Sequence, residues 1–196
     1  MFSGIIQELG EIVKVEKYDG GSLFSIKYVN AETNIKQGDS VSVNGVCLTA
    51  IKIKNSIFDV NIIEETLNIS SLSDITQGDF VNLELSLKYN DRISGHLVQG
   101  HIESVGNIVN IKENGTEEVR FTINIEDKIK KYCIYKGSIA IDGISLTIAN
   151  IDDNMIDVAV IPYTLNHTNL KFKKINNKVN IETDMISKYV EKILNK

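Results

Sequence analysis

Short runs of alternating apolar and polar residues fill most of the chain, and Gly, Asn and Asp separate them about every 8 to 12 positions, a rhythm of strands and turns. The β-branched run GIIQELGEIVKVE from Gly4 predicts a first strand, Asp19-Gly20-Gly21 a turn, and LFSIKYV from Leu23 a second strand. The polar segment Asn30–Gln37 predicts a helical turn ending at Gly38. Val41 and Val43 then alternate with Ser42, Asn44-Gly45 offers residues that tolerate positive φ, and Val46–Ile53 resumes the strand pattern, so a hairpin or bulged bend is expected. Ile57–Ile63 is the next strand, Thr66 caps a short helical turn, and FVNLELSL from Phe80 completes the set.

The whole pattern then occurs a second time. Ser40–Asn68 aligns without a gap on Ser138–Asn166, every pair 98 positions apart, and the opening strand recurs as GHIESVGNIVNIK from Gly100 at a spacing of 96. Glu113, Asn114 and Gly115 form the matching turn, VRFTINI from Val119 the strand, and EDKIKKY from Glu126 a short helix. Asp142-Gly143 answers Asn44-Gly45, Met155–Ile161 answers Ile57–Ile63, Thr164 caps the second helical turn, and VNIETD from Val179 is the last strand. The polar stretch Lys88–Ser94 reads as the linker. About six short strands per half, with a single proline, predict an all-β chain of two closed antiparallel barrels, residues 1–92 and 93–184.

Beyond Asp184 the period changes. Met185, Ile186, Tyr189, Val190, Ile193 and Leu194 share one helical face, so residues 185–196 predict a helix. A helix this short is marginal alone. Its apolar face needs a partner, and because the segment lies outside the repeat, other subunits are favoured over its own barrel.

Composition narrows the function. With 42% hydrophobic and 24% charged residues among 196, the chain is globular. A net charge of -5 argues against nucleic acid, whose binders cluster Lys and Arg. Cys47 and Cys133 show no metal or disulfide spacing, so no metal site is expected. The N-terminus lacks a basic region ahead of its interrupted apolar run, and no stretch approaches the roughly 18 apolar residues of a membrane span, so a cytoplasmic protein without a membrane partner is expected.

Duplication suggests two similar pockets that bind one kind of molecule twice. Candidate linings are Cys47-Leu48-Thr49 and Ser145-Leu146-Thr147, whose first and third residues share a strand face; the alternative is that they are ordinary strand fillers. The halves differ where chemistry needs a difference. His101 stands opposite Ile5, Asp184 opposite Ser86 and Lys136 opposite Gly38. The imidazole of His101 could move protons, or be structural; His96 precedes the aligned repeat. Asp184 also reads as the N-cap of the last helix. Glu64-Glu65, answered by Pro162-Tyr163, suits solvated acids better than a hydrolytic pair, and no phosphate-loop pattern occurs.

MFSGII, GDSVSVNGVCLT, GHLVQGH, KGSIAIDGISLT, the run IPYTLNHTNL from Ile161 and NIETD together resemble riboflavin synthase of the alpha type, in the right order over essentially the whole chain. Ser94 stands where that family usually has a second glycine, and Tyr163 where many members have His or Glu. The resemblance implies two Greek-key barrels, a C-terminal helix that gathers three chains into a homotrimer, and lumazine synthase as a candidate partner. It implies a cofactor-free reaction in which two molecules of 6,7-dimethyl-8-ribityllumazine exchange a four-carbon unit, giving riboflavin and 5-amino-6-(ribitylamino)uracil. It places substrate against Gly4, Ile5 and Ile6, against Cys47, Leu48 and Thr49, and against Asn61, Ile62, Ile63, Glu64, Glu65 and Thr66. The other lining is Gly100, His101 and Ile102, with Lys136, with Ser145, Leu146 and Thr147, and with Ala159, Val160, Ile161, Pro162, Tyr163 and Thr164. His101 with Ser145 or Thr147 is then the expected proton relay, with Cys47, Ser40 and Asp184 at the facing pocket. The alternative is a non-catalytic lumazine- or flavin-binding antenna protein.

Overall fold

In the computed structural model, which describes residues 1–29, 35–115 and 117–194, each half is a closed barrel of six antiparallel strands. The first barrel contains β1 (Glu8–Tyr18), β2 (Gly21–Lys27), β3 (Ser40–Val43), β4 (Val46–Lys54), β5 (Ile57–Ile63) and β6 (Phe80–Leu85). They close in the order β1-β2-β5-β4-β3-β6. The hairpin-linked β3, β4 and β5 with β2 returning beside β5 make a Greek key. The second barrel repeats that order with β7 (Ser104–Asn114), β8 (Glu118–Asn124), β9 (Ser138–Ile141), β10 (Ile144–Asp152), β11 (Met155–Val160) and β12 (Lys178–Thr183). Even the irregularities are copied: β1 and β7 slip register just past Ile12 and Ile108, and β4 and β10 just past Ala50 and Ile148.

Asn44 and Gly45 both have positive φ, 46° and 81°, so the bend after β3 is a two-residue hairpin turn; Asp142 and Gly143 match it at 46° and 80°. Two expectations shift. The first strand of each half starts at Glu8 and Ser104 rather than at the glycine, because Gly4 and Gly100 have φ of 77° and 84° and turn the preceding chain out of the ladder. Thr66 and Thr164 are not N-caps: α1 (Glu64–Ile69) and α3 (Pro162–His167) begin two residues earlier, where Glu64 and Glu65 suit the positive end of the helix and Pro162 occupies the first turn. The expected turn over Asn30–Gln37 rests on residues 30–34, which lie outside the described residues. The short helix after β8 is α2 (Asp127–Lys130), and residues 88–91 form a turn in which Asp91 Oδ2 accepts from the Lys88 N–H at 2.7 Å.

Each barrel encloses its own apolar core, built around Phe24, Phe58 and Leu83 in the first and Phe121, Ile123 and Ile181 in the second. A polar seam with approximate two-fold symmetry joins them. Asn82 Nδ2 donates to the Asp142 carbonyl at 2.9 Å, and its mate Asn180 Nδ2 donates to the Asn44 carbonyl at 2.8 Å. Ser71 N–H reaches Asn180 Oδ1 and Asn169 N–H reaches Asn82 Oδ1, again as mates. Gly45 and Gly143 meet at the centre of the seam, where a Cβ on either would come within 2.7 to 2.8 Å of the other's backbone nitrogen. Symmetry fails at two points: Asn169, the mate of Ser71, also donates from Nδ2 to Asn44 Oδ1 at 3.0 Å and to Asp142 Oδ2 at 2.8 Å, and Lys173 pairs with the fully buried Asp142 at 2.8 Å while the first half has Ile75 and Asn44. Paired in this way, the buried carboxylate avoids the desolvation cost of a lone charge.

After β12 comes α4 (Met185–Leu194), capped by Asp184, whose Oδ1 accepts from the Ile186 N–H at 3.0 Å. Lys188 bonds Glu103 at 2.8 Å, and Glu191 meets Lys131 and Tyr132, so one face of α4 rests on the second barrel. Ile186, Tyr189, Ile193 and Leu194 remain 59 to 77% exposed.

Candidate functional site

Along β4, Leu48 enters the core while half-buried Cys47 and exposed Thr49 lie on the outer face. Asn61 and Ile63 at the end of β5 are exposed and Ile62 is core, and α1 follows with exposed Glu64 and Glu65 and half-buried Thr66. Ala50 pairs with Val60, which brings Thr49 and Asn61, one residue on, to the same edge of the barrel. Ser40 pairs with Thr49 from β3. The second barrel repeats the arrangement: Ser145 and Thr147 face outward and Leu146 inward, Ala159 and Ile161 flank buried Val160, and Pro162 and Tyr163 with half-buried Thr164 open α3. In the single chain both edges are open to solvent, with Ile63 57% and Ile161 58% exposed.

The edges are completed by straps exchanged between the halves. The carbonyl of Gly100 accepts from the Cys47 N–H at 2.9 Å, and the carbonyl of Gly4 accepts from the Ser145 N–H at 2.8 Å. Only glycine fits at either place, since a Cβ would lie 2.6 Å from the Cβ of Cys47 or of Ser145. The straps cross beside each other, Phe2 pairing with Val98. Exposed His101 and buried Ile102 therefore border the first barrel's edge, and exposed Ile5 and half-buried Ile6 the second's.

This crossing regroups the polar candidates within one chain. The imidazole on Ser145 is that of His96, with Nδ1 2.7 Å from Ser145 Oγ; His101 lies on the strap that borders Cys47, and its N–H donates to Glu182 at 3.0 Å. Burial pushes the His96 pKa below its ordinary 6.5, partly offset by the charge of Asp184, so His96 is neutral at neutral pH. Its Nε2 is buried without a partner among the described residues. Asp184 thus belongs to the Ser145 side, while Cys47, Ser40, Thr49 and His101 gather at the first barrel. Lys136 is exposed and sits at φ 64°, where Gly38 in the first half has φ 92°. A lysine in the left-handed region costs about 1 kcal/mol or more.

Sequence reasoning allows His96 a structural role and does not place it among the site residues, because it falls ahead of the aligned repeat. It also passed over Glu84 and Glu182, which read as ordinary strand residues although they are 98 apart; each is buried and its pKa is raised, burial outweighing several hydrogen bonds from backbone N–H groups. Among the described residues no cluster of three His, Cys, Asp or Glu could hold a metal ion.

The lumazine binding domain family matches twice, at residues 3–86 and 99–184. The riboflavin synthase of Chlamydia pneumoniae is 42% identical over 189 residues, 96% of this chain and 92% of that protein. The riboflavin synthase of Actinobacillus pleuropneumoniae is 39% identical over 194 residues, 99% of this chain and 90% of that one. The structure of LumP with riboflavin superposes at a TM-score of 0.88 and 26% identity, covering 93% of this chain and 99% of the other, and LumP with 6,7-dimethyl-8-(1'-D-ribityl) lumazine gives 0.85 over the same shares. With both repeats matched and synthases aligned along nearly its full length, the chain belongs to the riboflavin synthase family of lumazine-binding proteins.

Proposed function

We propose that the protein is a riboflavin synthase that converts two molecules of 6,7-dimethyl-8-ribityllumazine into riboflavin and 5-amino-6-(ribitylamino)uracil. The observation that carries this reading is the pair of matched barrel edges with unmatched polar groups. Two identical substrates need two similar sites, and their unequal fates, one donating four carbons and one accepting them, need different chemistry at each. Cys47 with His101 on one edge and Ser145 with His96 and Asp184 on the other supply that difference. The two products together contain the atoms of two substrates, so no residue has to hold an oxidant, a reductant or water. Holding the substrates face to face replaces a bimolecular encounter.

The edges of one chain belong to different barrels, and each is open. A homotrimer in which the first barrel of one chain faces the second barrel of the next closes them on each other, with the exposed face of α4 as its contact. In that assembly His101 of one chain comes opposite Ser145 and Thr147 of its neighbour, and the proton relay runs between chains. One substrate loses a proton from its C7 methyl group; backbone N–H groups at the strand ends stabilise the charge that spreads into the ring. Neutral His96 can accept the Ser145 hydroxyl proton and so sharpen that oxygen as the group that adds to the other substrate. Lys136, Asn61 and the acids Glu64 and Glu65 are the polar contacts for ring and ribityl chain. A cytoplasmic location and association with lumazine synthase complete the proposal; among the described residues no helix is long and apolar enough to cross a membrane.

Incubating the purified protein with the lumazine and following riboflavin absorbance tests this directly. Riboflavin should appear at half the rate of substrate loss. Tight binding of the lumazine with no riboflavin formed would instead identify a non-catalytic antenna protein.

A further inference from the structure

Glu84 on β6 and Glu182 on β12 are each 2% exposed, and both carboxylates are held by the crossing straps, through backbone N–H groups and, at Glu84, the Ser3 hydroxyl as well. Glu84 Oε1 accepts from the Ser3 N–H at 2.7 Å and from its hydroxyl at 2.8 Å, and Oε2 from the Gly4 N–H at 3.0 Å. Glu182 Oε1 accepts from the Gln99 N–H at 2.6 Å, and Oε2 from the N–H groups of Gly100 at 2.8 Å and His101 at 3.0 Å. Convergent N–H donors around a carboxylate form an anion nest. Neither glutamate lies at the edge that its strap completes: the Gly100 carbonyl meets Cys47 in the first barrel while Glu182 stands in the second, and the Gly4 carbonyl meets Ser145 in the second while Glu84 stands in the first.

We infer that Glu182 and Glu84 are positioning residues wired across the barrels, each holding from its own barrel the strap that finishes the substrate pocket of the other. The wiring stands on the hydrogen bonds alone; only the identity of the pocket's occupant rests on the proposed function. Glu182 thereby sets the placement of His101 and the cover over Cys47, and Glu84 the placement of Ile5 beside Ser145. A glutamine at either position fits the space but turns an NH2 toward strap N–H groups, so the nest loses acceptors and gains a repulsion. A glutamate that merely supported its own barrel would, on the same replacement, disturb the edge of that barrel and leave the other intact.

Cys47 makes the distinction measurable. Cys133, the other thiol, is buried and pushed up to about 11, so alkylation by iodoacetamide at neutral pH reports Cys47. In the full-length protein, Glu182→Gln should speed Cys47 alkylation about tenfold or more, whereas Glu84→Gln should leave it within about twofold of the unsubstituted protein. Should Glu182→Gln fail to fold by circular dichroism, Glu182→Asp, which keeps the charge and shortens its reach, takes its place with the same expected rise. Equal acceleration in both variants, acceleration by Glu84→Gln alone, or none in either overturns the cross-wiring. A protein that makes no riboflavin yet shows the asymmetric labelling refutes the proposed function and leaves this inference standing. With the lumazine as substrate, Glu182→Gln should lower kcat as well as raise KM, because the strap it holds both carries His101 and finishes the binding edge; native kcat and KM in this variant would mean that the strap does not complete the pocket.

Discussion

His96 Nδ1 lies 2.7 Å from Ser145 Oγ, while Cys47, the mate of Ser145 in the first half, faces the strap of Gly100 and His101. The duplication thus produced two edges of one shape and two chemistries, a serine with a buried imidazole and a thiol with an exposed one.

His96→Gln should lower kcat roughly 10²- to 10⁴-fold if the imidazole is the base for Ser145, with little change in riboflavin affinity. The acid limb of kcat/KM should lie below the ordinary histidine value of 6.5, since burial depresses the His96 pKa and protonation removes the acceptor. Stability shifts with the same sign. A group whose folded pKa is depressed is stabilising above its unfolded pKa, and that contribution fades as pH falls through the folded pKa. Acid scans of Tm should therefore fall less steeply for His96→Gln. An unchanged acid limb would remove His96 from the reaction.

Gly45 and Gly143 combine positive φ with contact across the seam, so alanine at either is penalised twice. Gly45→Ala should destabilise by more than about 1 kcal/mol in urea unfolding, beyond the usual effect of a strained glycine position. Gly20 is the control: its φ is 86° but nothing lies within 4 Å of where a Cβ would stand, so Gly20→Ala should cost less. Equal losses at Gly45 and Gly20 would mean that the barrels separate easily.

Lys173→Ile should cost about 3–5 kcal/mol, because it leaves the buried Asp142 charge without its cation, held only by the Asn180 N–H and the Asn169 side-chain amide. Adding Asp142→Asn recreates the Asn44 and Ile75 combination of the first half and should recover most of that loss. Chemical denaturation of the two single variants and the double variant forms a cycle; additive losses would show that the pair does not interact.

Much of this is legible in the sequence because a two-copy strand pattern is redundant: each half corrects the reading of the other, and Asn44-Gly45 and Asp142-Gly143 mark the same bend in both, although the residues alone allow a hairpin or a bulged bend there and the structure shows two-residue hairpins. The edges around Cys47 and Ser145 are legible for the same reason. What stays hidden is long-range exchange. Nothing local in GHLVQGH tells that Gly100 will meet Cys47 or that His96 will reach Ser145, 49 residues away, and a glutamate in a strand does not announce that its carboxylate will turn inward onto a strap. The helices start at Glu64 and Pro162, ahead of Thr66 and Thr164, because first-turn charge and proline outweigh the cap preference of threonine.

Deleting residues 186–196 should shift the protein toward monomer in sedimentation velocity and reduce turnover in parallel, since α4 leaves Ile186, Tyr189, Val190, Ile193 and Leu194 largely uncovered. A truncated protein that kept its native assembly would assign the contact to the barrels instead.

Lys136→Gly tests whether strain is kept for function. Two effects on stability oppose each other: relief of a lysine at φ 64° favours the variant by about 1–2 kcal/mol, while the greater freedom of glycine in the unfolded chain costs about 0.4–1 kcal/mol. The net change should therefore be small and, if anything, stabilising. Turnover should move the other way, because the variant copies Gly38 and strips the second edge of its cation. If Lys136 contacts substrate in both ground and transition states, KM rises with kcat little changed; if it stabilises charge that develops during proton loss, kcat falls and KM holds. Lys136→Arg separates charge from backbone strain, since it keeps the cation and the strain together. A Lys136→Gly protein with native kcat and KM would leave the left-handed lysine without a role in the reaction.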